Sequence, residues 1–174
     1  VVALLGAGLL VAATKVTTEQ ALEEVEWPTL VFFMGLFVMV GGLVETGVIG
    51  EISTAAADAT EGRLGFAAML LLWASAALSA IVDNIPYVAT MSPIVADLAN
   101  QAGADGQVLW WALAFGADLG GNATAIGASA NVVVLGIAAR NGHPISFWTF
   151  TRYGLIVTVL TIALTTPYLR LRYL

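Results

Sequence analysis

The 174 residues contain no cysteine, a single histidine and only six lysines and arginines. The missing cysteine excludes a disulfide framework and any thiolate metal or redox centre within this stretch. The cations are scattered, with no basic run to neutralise a phosphate backbone, so no nucleic-acid partner is expected. Charged residues of both signs make up 10% of the chain, against about 25% in an ordinary soluble domain. Twelve acids leave a net charge of −6, most of it in segments that read as connections. What is present instead is apolar: 59% of residues are hydrophobic and the mean hydropathy is +0.90. That balance predicts an all-α integral membrane protein whose surroundings are the lipid bilayer.

The chain opens at Val1 inside an apolar stretch, without an initiator Met or the basic segment of a signal peptide. Residues 1–14 are too few for a span, which needs about 20 residues, and read as the tail of a helix. Residues 17–26, TTEQALEEVE, read as a short interfacial helix with a solvated acidic face. Trp27 and Pro28 mark the entry to a full span over 29–49, whose Gly35, Gly41 and Gly42 allow close helix packing. Glu45 near its end reads as an interfacial carboxylate. Residues 50–63 read as a polar connection. A second full span is expected over 147–169, bounded by Arg152, Arg170 and Arg172. His143, between Gly142 and Pro144, reads as a surface loop residue.

Between these two spans lie two interrupted ones. In SAIVDNIPYVATMSP, Asp83, Asn84 and Pro86 fall together inside an apolar run. Proline removes a donor and biases Ile85 away from helix, while Asp and Asn favour caps and turns. The reading is the tip of a re-entrant hairpin, one arm ending near Val82 and the other starting near Pro86. In GADLGGNATAIGASANVV, Gly116, Gly120 and Gly121 permit an unwound stretch, and Asn122 is placed to cap a helix restarting at Ala123. Asp118 adds a second carboxylate, and Thr124, Ser129 and Asn131 add hydroxyls and an amide. Irregular backbone survives in a bilayer only where protein or a water-filled cavity surrounds it, and carboxylates there mark ion or substrate sites. Broken helices whose ends converge are how secondary transporters build such sites.

DNIPYVATMSPIV followed by GADLGGNATAIGASANVVVLGIA resembles the paired signatures of the ion transporter superfamily. That group holds arsenite permeases, NhaD-type sodium–proton antiporters, the melanosomal P protein and citrate-transporter-like carriers. VEWPTLVFFMGLFVMVGGLVETGVI resembles the helix preceding those signatures. The resemblance implies two inverted repeats, each with a re-entrant hairpin and a discontinuous helix, and residues 1–174 would be the C-terminal repeat. The missing N-terminal half of the transporter would then be its partner, in a multi-pass protein of the plasma membrane, commonly a homodimer. The site residues it implies are Asp83, Asn84 and Thr90 on the hairpin, with Asp118, Asn122, Thr124, Ser129 and Asn131 on the broken helix. Pro86, Gly116, Gly120 and Gly121 would be the backbone breaks. Asn84, Asp118 and Asn122 could serve a sodium ion. No cofactor is expected beyond a coupling proton or sodium ion.

The dicarboxylate branch of that superfamily carries Ser-Asn-Thr tips, whereas this tip is Asp-Asn-Ile-Pro. A tip aspartate repels a polyanion and suits a cation, a proton or a neutral solute such as arsenite near neutral pH. The expected function is a secondary active ion transporter with alternating access, coupled at Asp83 and Asp118, and not an enzyme. The alternatives are a passive anion pathway or a citrate or dicarboxylate carrier of the same fold. An intramembrane aspartyl protease is a distant rival: Gly116-Ala117-Asp118 lacks the second glycine of the Gly-x-Gly-Asp element. With Lys15, Arg140 and Arg152 on one side and Arg63, Arg170 and Arg172 on the other, the positive-inside count is level. The resemblance implies that the hairpin opens to the outside.

Overall fold

The computed structural model describes residues 1–14, 17–23, 25, 27–60 and 62–174. Lys15, counted above for orientation, and Glu24 and Glu26 of the acidic stretch lie outside them. The described residues are mostly helical, without a strand. They divide into two compact units, Val1–Gly35 and Leu36–Leu174.

In the first unit, α1 (Val2–Ala13) and α2 (Thr18–Glu23) fall where the apolar tail and the short polar helix were expected. Gln20 and Thr17 cap the second reciprocally, the Gln20 amide donating to the Thr17 Oγ1 at 3.2 Å while Gln20 Oε1 accepts from the Thr17 amide at 3.1 Å. The next helix, α3 (Trp27–Glu45), starts in this unit and continues into the second.

The span expected over 29–49 is corrected. The helix stops at Glu45, because Gly47 adopts a left-handed φ of 79° that a continuing helix cannot accommodate. Residues expected as a polar connection instead form α4 (Val48–Ala59). The arm Leu30–Glu45 and α4 are bent by 70°. Ile49, Ser53 and Thr60 are buried on one face of this segment, a 3.6-residue period hidden among acids and small residues. Nothing among the described residues packs within 4 Å of a Cβ added at Gly41 or Gly42, so the close packing expected there is not found among them.

The rest of the second unit is built around α7 (Gln107–Gly120). Parallel to it runs α5 (Leu64–Ser79); antiparallel to it run α6 (Asn84–Ala102) and α9 (Phe147–Tyr173). A 3-10 turn, Gly103–Gly106, joins α6 to α7 where a GADG turn was expected. The core is Ala68, Leu72 and Ala76 of α5, Val95 and Ala99 of α6, Val108, Leu109, Ala112, Leu113 and Ala117 of α7, and Ile162 and Leu169 of α9.

Gly116 and Gly120 explain why α5 and α7 approach so closely. A Cβ at Gly116 would lie 2.6 Å from the Leu72 carbonyl oxygen, and one at Gly120 would lie 2.5 Å from Ala76 Cα. Both glycines sit within α7, four residues apart on one face, as in the small-xxx-small packing of membrane helices. They are therefore contact residues and not the unwound backbone the sequence suggested.

Of the described helices, Phe147–Tyr173 alone is long and apolar enough to cross a membrane unaided, and the bent pair reaches that length and apolarity only when its two arms are taken together. The helix expected at the C-terminal end is present, and α9 runs four residues past 169. Its Leu155, Ile156, Val159, Leu160 and Leu164 are exposed, an outward apolar face suited to lipid.

We expect Gly120→Ala to lower the unfolding temperature of the purified protein, costing roughly 1–3 kcal/mol from overpacking against α5. Gly136→Ala, at a helical position with nothing within 4 Å, should be neutral or slightly stabilising. Equal behaviour of the two in detergent melts would contradict the contact.

Candidate functional site

The two interruptions exist, but each lies a few residues from its expected place. At the first, α5 ends at Ser79 and α6 begins at Asn84, so the turn is residues 80–83. Asp83 is the N-cap of α6, its Oδ1 accepting from the Ile85 amide at 3.1 Å. Pro86 is thus corrected from a break to a first-turn residue, where its missing N–H would have had no helical partner. The hairpin is closed by a hydrogen bond from the Tyr87 hydroxyl to Ser75 Oγ at 3.0 Å.

At the second interruption, α7 runs through Gly120 into a 3-10 turn, Gly121–Ala123. The backbone then extends at Thr124, with φ −131° and ψ 162°, and helix resumes as α8 (Ser129–Arg140). Asn122 therefore does not cap a helix starting at Ala123; it is exposed within the turn. Gly121 fits the expectation of a break residue, and Gly127 opposes it: a Cβ on Gly127 would sit 2.7 Å from the Gly121 carbonyl oxygen.

The tip and the break hold one another. Asp83 Oδ2 accepts from the Ser129 amide at 2.9 Å, so one carboxylate satisfies first-turn donors of both α6 and α8. The Thr124 hydroxyl donates to the Ala80 carbonyl in the tip. The Ser79 hydroxyl donates to the Ala117 carbonyl at 2.6 Å. Within the break, Asn131 Nδ2 donates to the carbonyls of both Gly121 and Thr124 at 2.9 Å, joining its two ends. On the opposite side, Gly154 of α9 lets the Asn122 and Ala123 carbonyls come within 2.7 Å of where its Cβ would be, and the Thr158 hydroxyl donates to the Leu119 carbonyl at 3.2 Å.

The sequence-derived residues thus sort into three groups. Asp83, Thr124, Ser129 and Asn131 lie together at the joint: the side chains of Asp83, Thr124 and Asn131 bind backbone groups, and the Ser129 amide donates to Asp83. Asn84 and Asp118 line a separate concavity of about 480 Å³, otherwise apolar, with Ile85, Val88, Ala89, Ala114, Ala117 and Phe37. Asp118 is exposed on the outer face of α7 and belongs to helix, not to the break. Thr90 and Asn122 join neither group: Thr90 donates to its own helix at the Pro86 carbonyl, 2.9 Å away, and Asn122 does not line the concavity with Asn84 and Asp118. Among the described residues no cluster of three His, Cys, Asp or Glu side chains could hold a metal ion. Sequence reading missed Ser79 as a joint residue, although Ser75 and Ser79, four apart in an alanine-rich helix, mark one polar stripe on a packed face.

A helical hairpin docked by its tip onto the gap of a discontinuous helix is an arrangement found among membrane transport proteins. The sequence pattern of the citrate transporter family matches residues 1–116. An uncharacterized transporter of Mycobacterium bovis is 57% identical over 174 residues, covering 99% of this chain and 41% of that protein. A 46 kDa membrane protein of Mycobacterium leprae is 52% identical over 177 residues, again 41% of its length. The human P protein is 42% identical over 168 residues, 92% of this chain and 20% of that protein. No solved structure matches. The chain belongs to the citrate transporter family, and its location is a membrane. It spans about two fifths of the length of these mycobacterial relatives.

Asp83→Ala should remove the acceptor for both helix starts and cost roughly 2–3 kcal/mol. Asp83→Asn, which keeps one acceptor oxygen, should cost about half of that. Unfolding of the purified protein measures both, and an Asp83→Ala loss below ~0.5 kcal/mol would show that the joint does not rest on this carboxylate.

Proposed function

We propose that this chain is the C-terminal repeat of a secondary active ion transporter working by alternating access. The full protein would be a multi-pass carrier of the plasma membrane, a homodimer completed by an N-terminal repeat in opposite topology. The observation that carries the reading is the joint: three hydrogen bonds link the hairpin tip and its base to α7, the break and α8. Elements tied in this way move as one body, which alternating access requires of a substrate-bearing module.

The sorting of side chains refines which residues meet the transported species. Asp83 is engaged by two amides, whereas Asp118 is exposed and borders an apolar concavity with Asn84, so the coupling proton or sodium ion is assigned to Asp118 with Asn84 beside it. Asp83 becomes the residue that positions the tip. An exposed carboxylate on this face disfavours a free polyanion and suits a cation or a neutral solute exchanged for one. The reading is transport and not bond cleavage, and it is supported by the Asp83 carboxylate being engaged by amides of α6 and α8.

In vesicles with an imposed proton or sodium gradient, Asp118→Asn in the full-length protein should insert normally and lose gradient-driven flux by tenfold or more. Asn84→Ala should weaken the dependence on the coupling ion while leaving maximal flux closer to wild type. Unaltered, gradient-dependent flux in Asp118→Asn would remove it from the coupling site, and flux that neither saturates nor follows a gradient would favour a passive pathway.

A further inference from the structure

A second cavity, of about 430 Å³, lies between α4 and the two arms of the hairpin, α5 and α6. It shares no lining residue with the concavity of Asn84 and Asp118. Helices α4 and α6 meet at one wall, where Ser53 Oγ lies 3.5 Å from the Ile94 carbonyl oxygen. Among the described lining residues, polar side chains occur at one end: Thr60, just past the last turn of α4, and Gln101, in the last turn of α6. Both already have partners, the Thr60 hydroxyl at the Ala56 and Ala57 carbonyls and the Gln101 amide at the Asp97 carboxylate. The remaining side chains are aliphatic or Met, so they offer contact area and no hydrogen bonds. An ion or polar solute would lose its hydration there without replacement, whereas hydrocarbon loses nothing.

The polar end of the cavity stands at the level of a membrane surface. Arg170 and Arg172 are exposed at the end of α9, and Tyr173 stacks on Trp111 of α7 with ring centroids 5.9 Å apart. The Leu174 side chain comes within 3.4 Å of a Cβ built on Gly65, next to the Leu64 that lines the cavity. Cations and aromatic rings grouped in this way mark a lipid–water interface. From Leu64 the lining runs down α5 to Ala74, about 15 Å at 1.5 Å per residue, or half the roughly 30 Å hydrocarbon core. From Ala102 it runs down α6 to Met91 over a similar length. Ile52 and Leu70, on the rim, are 45% and 50% exposed, so the cavity opens at the protein surface beside them.

We infer that this cavity holds one acyl chain of a membrane phospholipid, its head at the interface beside Thr60 and Gln101 and its tail ending near Ala74 and Met91. The length of one leaflet, with a wet end and a dry end, fits that occupant. A protein helix does not fit: at about 10 Å across it would use up the volume in about one turn, whereas the lining continues for about 15 Å. A chain lodged there fills the space between α4 and the hairpin, so the two can part only if the lipid leaves.

The test places the full-length protein in nanodiscs of phosphatidylethanolamine, some of it carrying a diazirine midway along one acyl chain. Light-induced cross-links are then mapped by peptide mass spectrometry. Leu71, Ala74 and Met91 should be labelled, as should Leu155, Leu160 and Leu164 on the exposed face of α9. After dilution into unlabelled lipid, the α9 labelling should fall at least tenfold while the cavity keeps most of its label. Ala57→Trp, and Ala74→Phe from the α5 wall, should each cut cavity labelling at least fivefold and leave α9 unchanged. Unlabelled cavity residues would mean that protein covers them, and loss as fast as on α9 would mean bulk lipid. Either result overturns the site, as does unchanged cavity labelling in both variants. Because the readout is lipid occupancy and not flux, such a failure leaves the carrier reading standing.

Discussion

The structure depends on how backbone groups freed at two helix breaks are satisfied where water is scarce. An unpaired N–H or C=O in hydrocarbon costs several kcal/mol, so a broken membrane helix needs partners from elsewhere in the protein. Here each break supplies the other. The carboxylate of Asp83 receives amides from the starts of α6 and α8, and the Thr124 hydroxyl covers the Ala80 carbonyl at the tip. Asn131 covers two carbonyls within its own break. The hairpin and the discontinuous helix are therefore one element in energetic terms, although about 40 residues separate their joined ends in sequence.

Close packing makes that mutual satisfaction geometrically possible. Gly116 and Gly120 bring α7 onto the backbone of α5, and Gly127 and Gly154 let the break fold against Gly121 and α9. With side chains at these points, Ser79 could not reach the Ala117 carbonyl at 2.6 Å and the tip would stand away from the break. Glycine thus serves here mainly by what it leaves out, and the polar residues of the joint work at distances set by those absences.

Much of this was legible in the residues. The length and apolarity of 147–169 announce α9, and Asp-Asn-Ile-Pro announces a helix start after a break. The same glycines that betray an irregular α7 end also mislead, because a missing Cβ serves either an unwound turn or a tight helix contact. Gly116 and Gly120 prove to be contacts only when Leu72, Ser75 and Ala76 are seen opposite them. Helix α4 was hidden because Glu51, Thr54 and Asp58 occupy its outer face, and its buried face is short and partly polar at Ser53. Asn122 was read as a cap by proximity, yet the carboxylate beside the Ser129 amide comes from 46 residues away. Spacing along a sequence carries no information about such a partner.

The central claim is that Asp83 and Thr124 act on one shared contact between tip and break. A double-mutant cycle with Asp83→Ala and Thr124→Val, read from reversible unfolding of the purified protein, measures this most directly. A coupling energy of at least ~0.5 kcal/mol between the two substitutions is expected. Additivity within ~0.3 kcal/mol would contradict it, leaving the two hydrogen bonds as separate local features of an unjoined hairpin and helix.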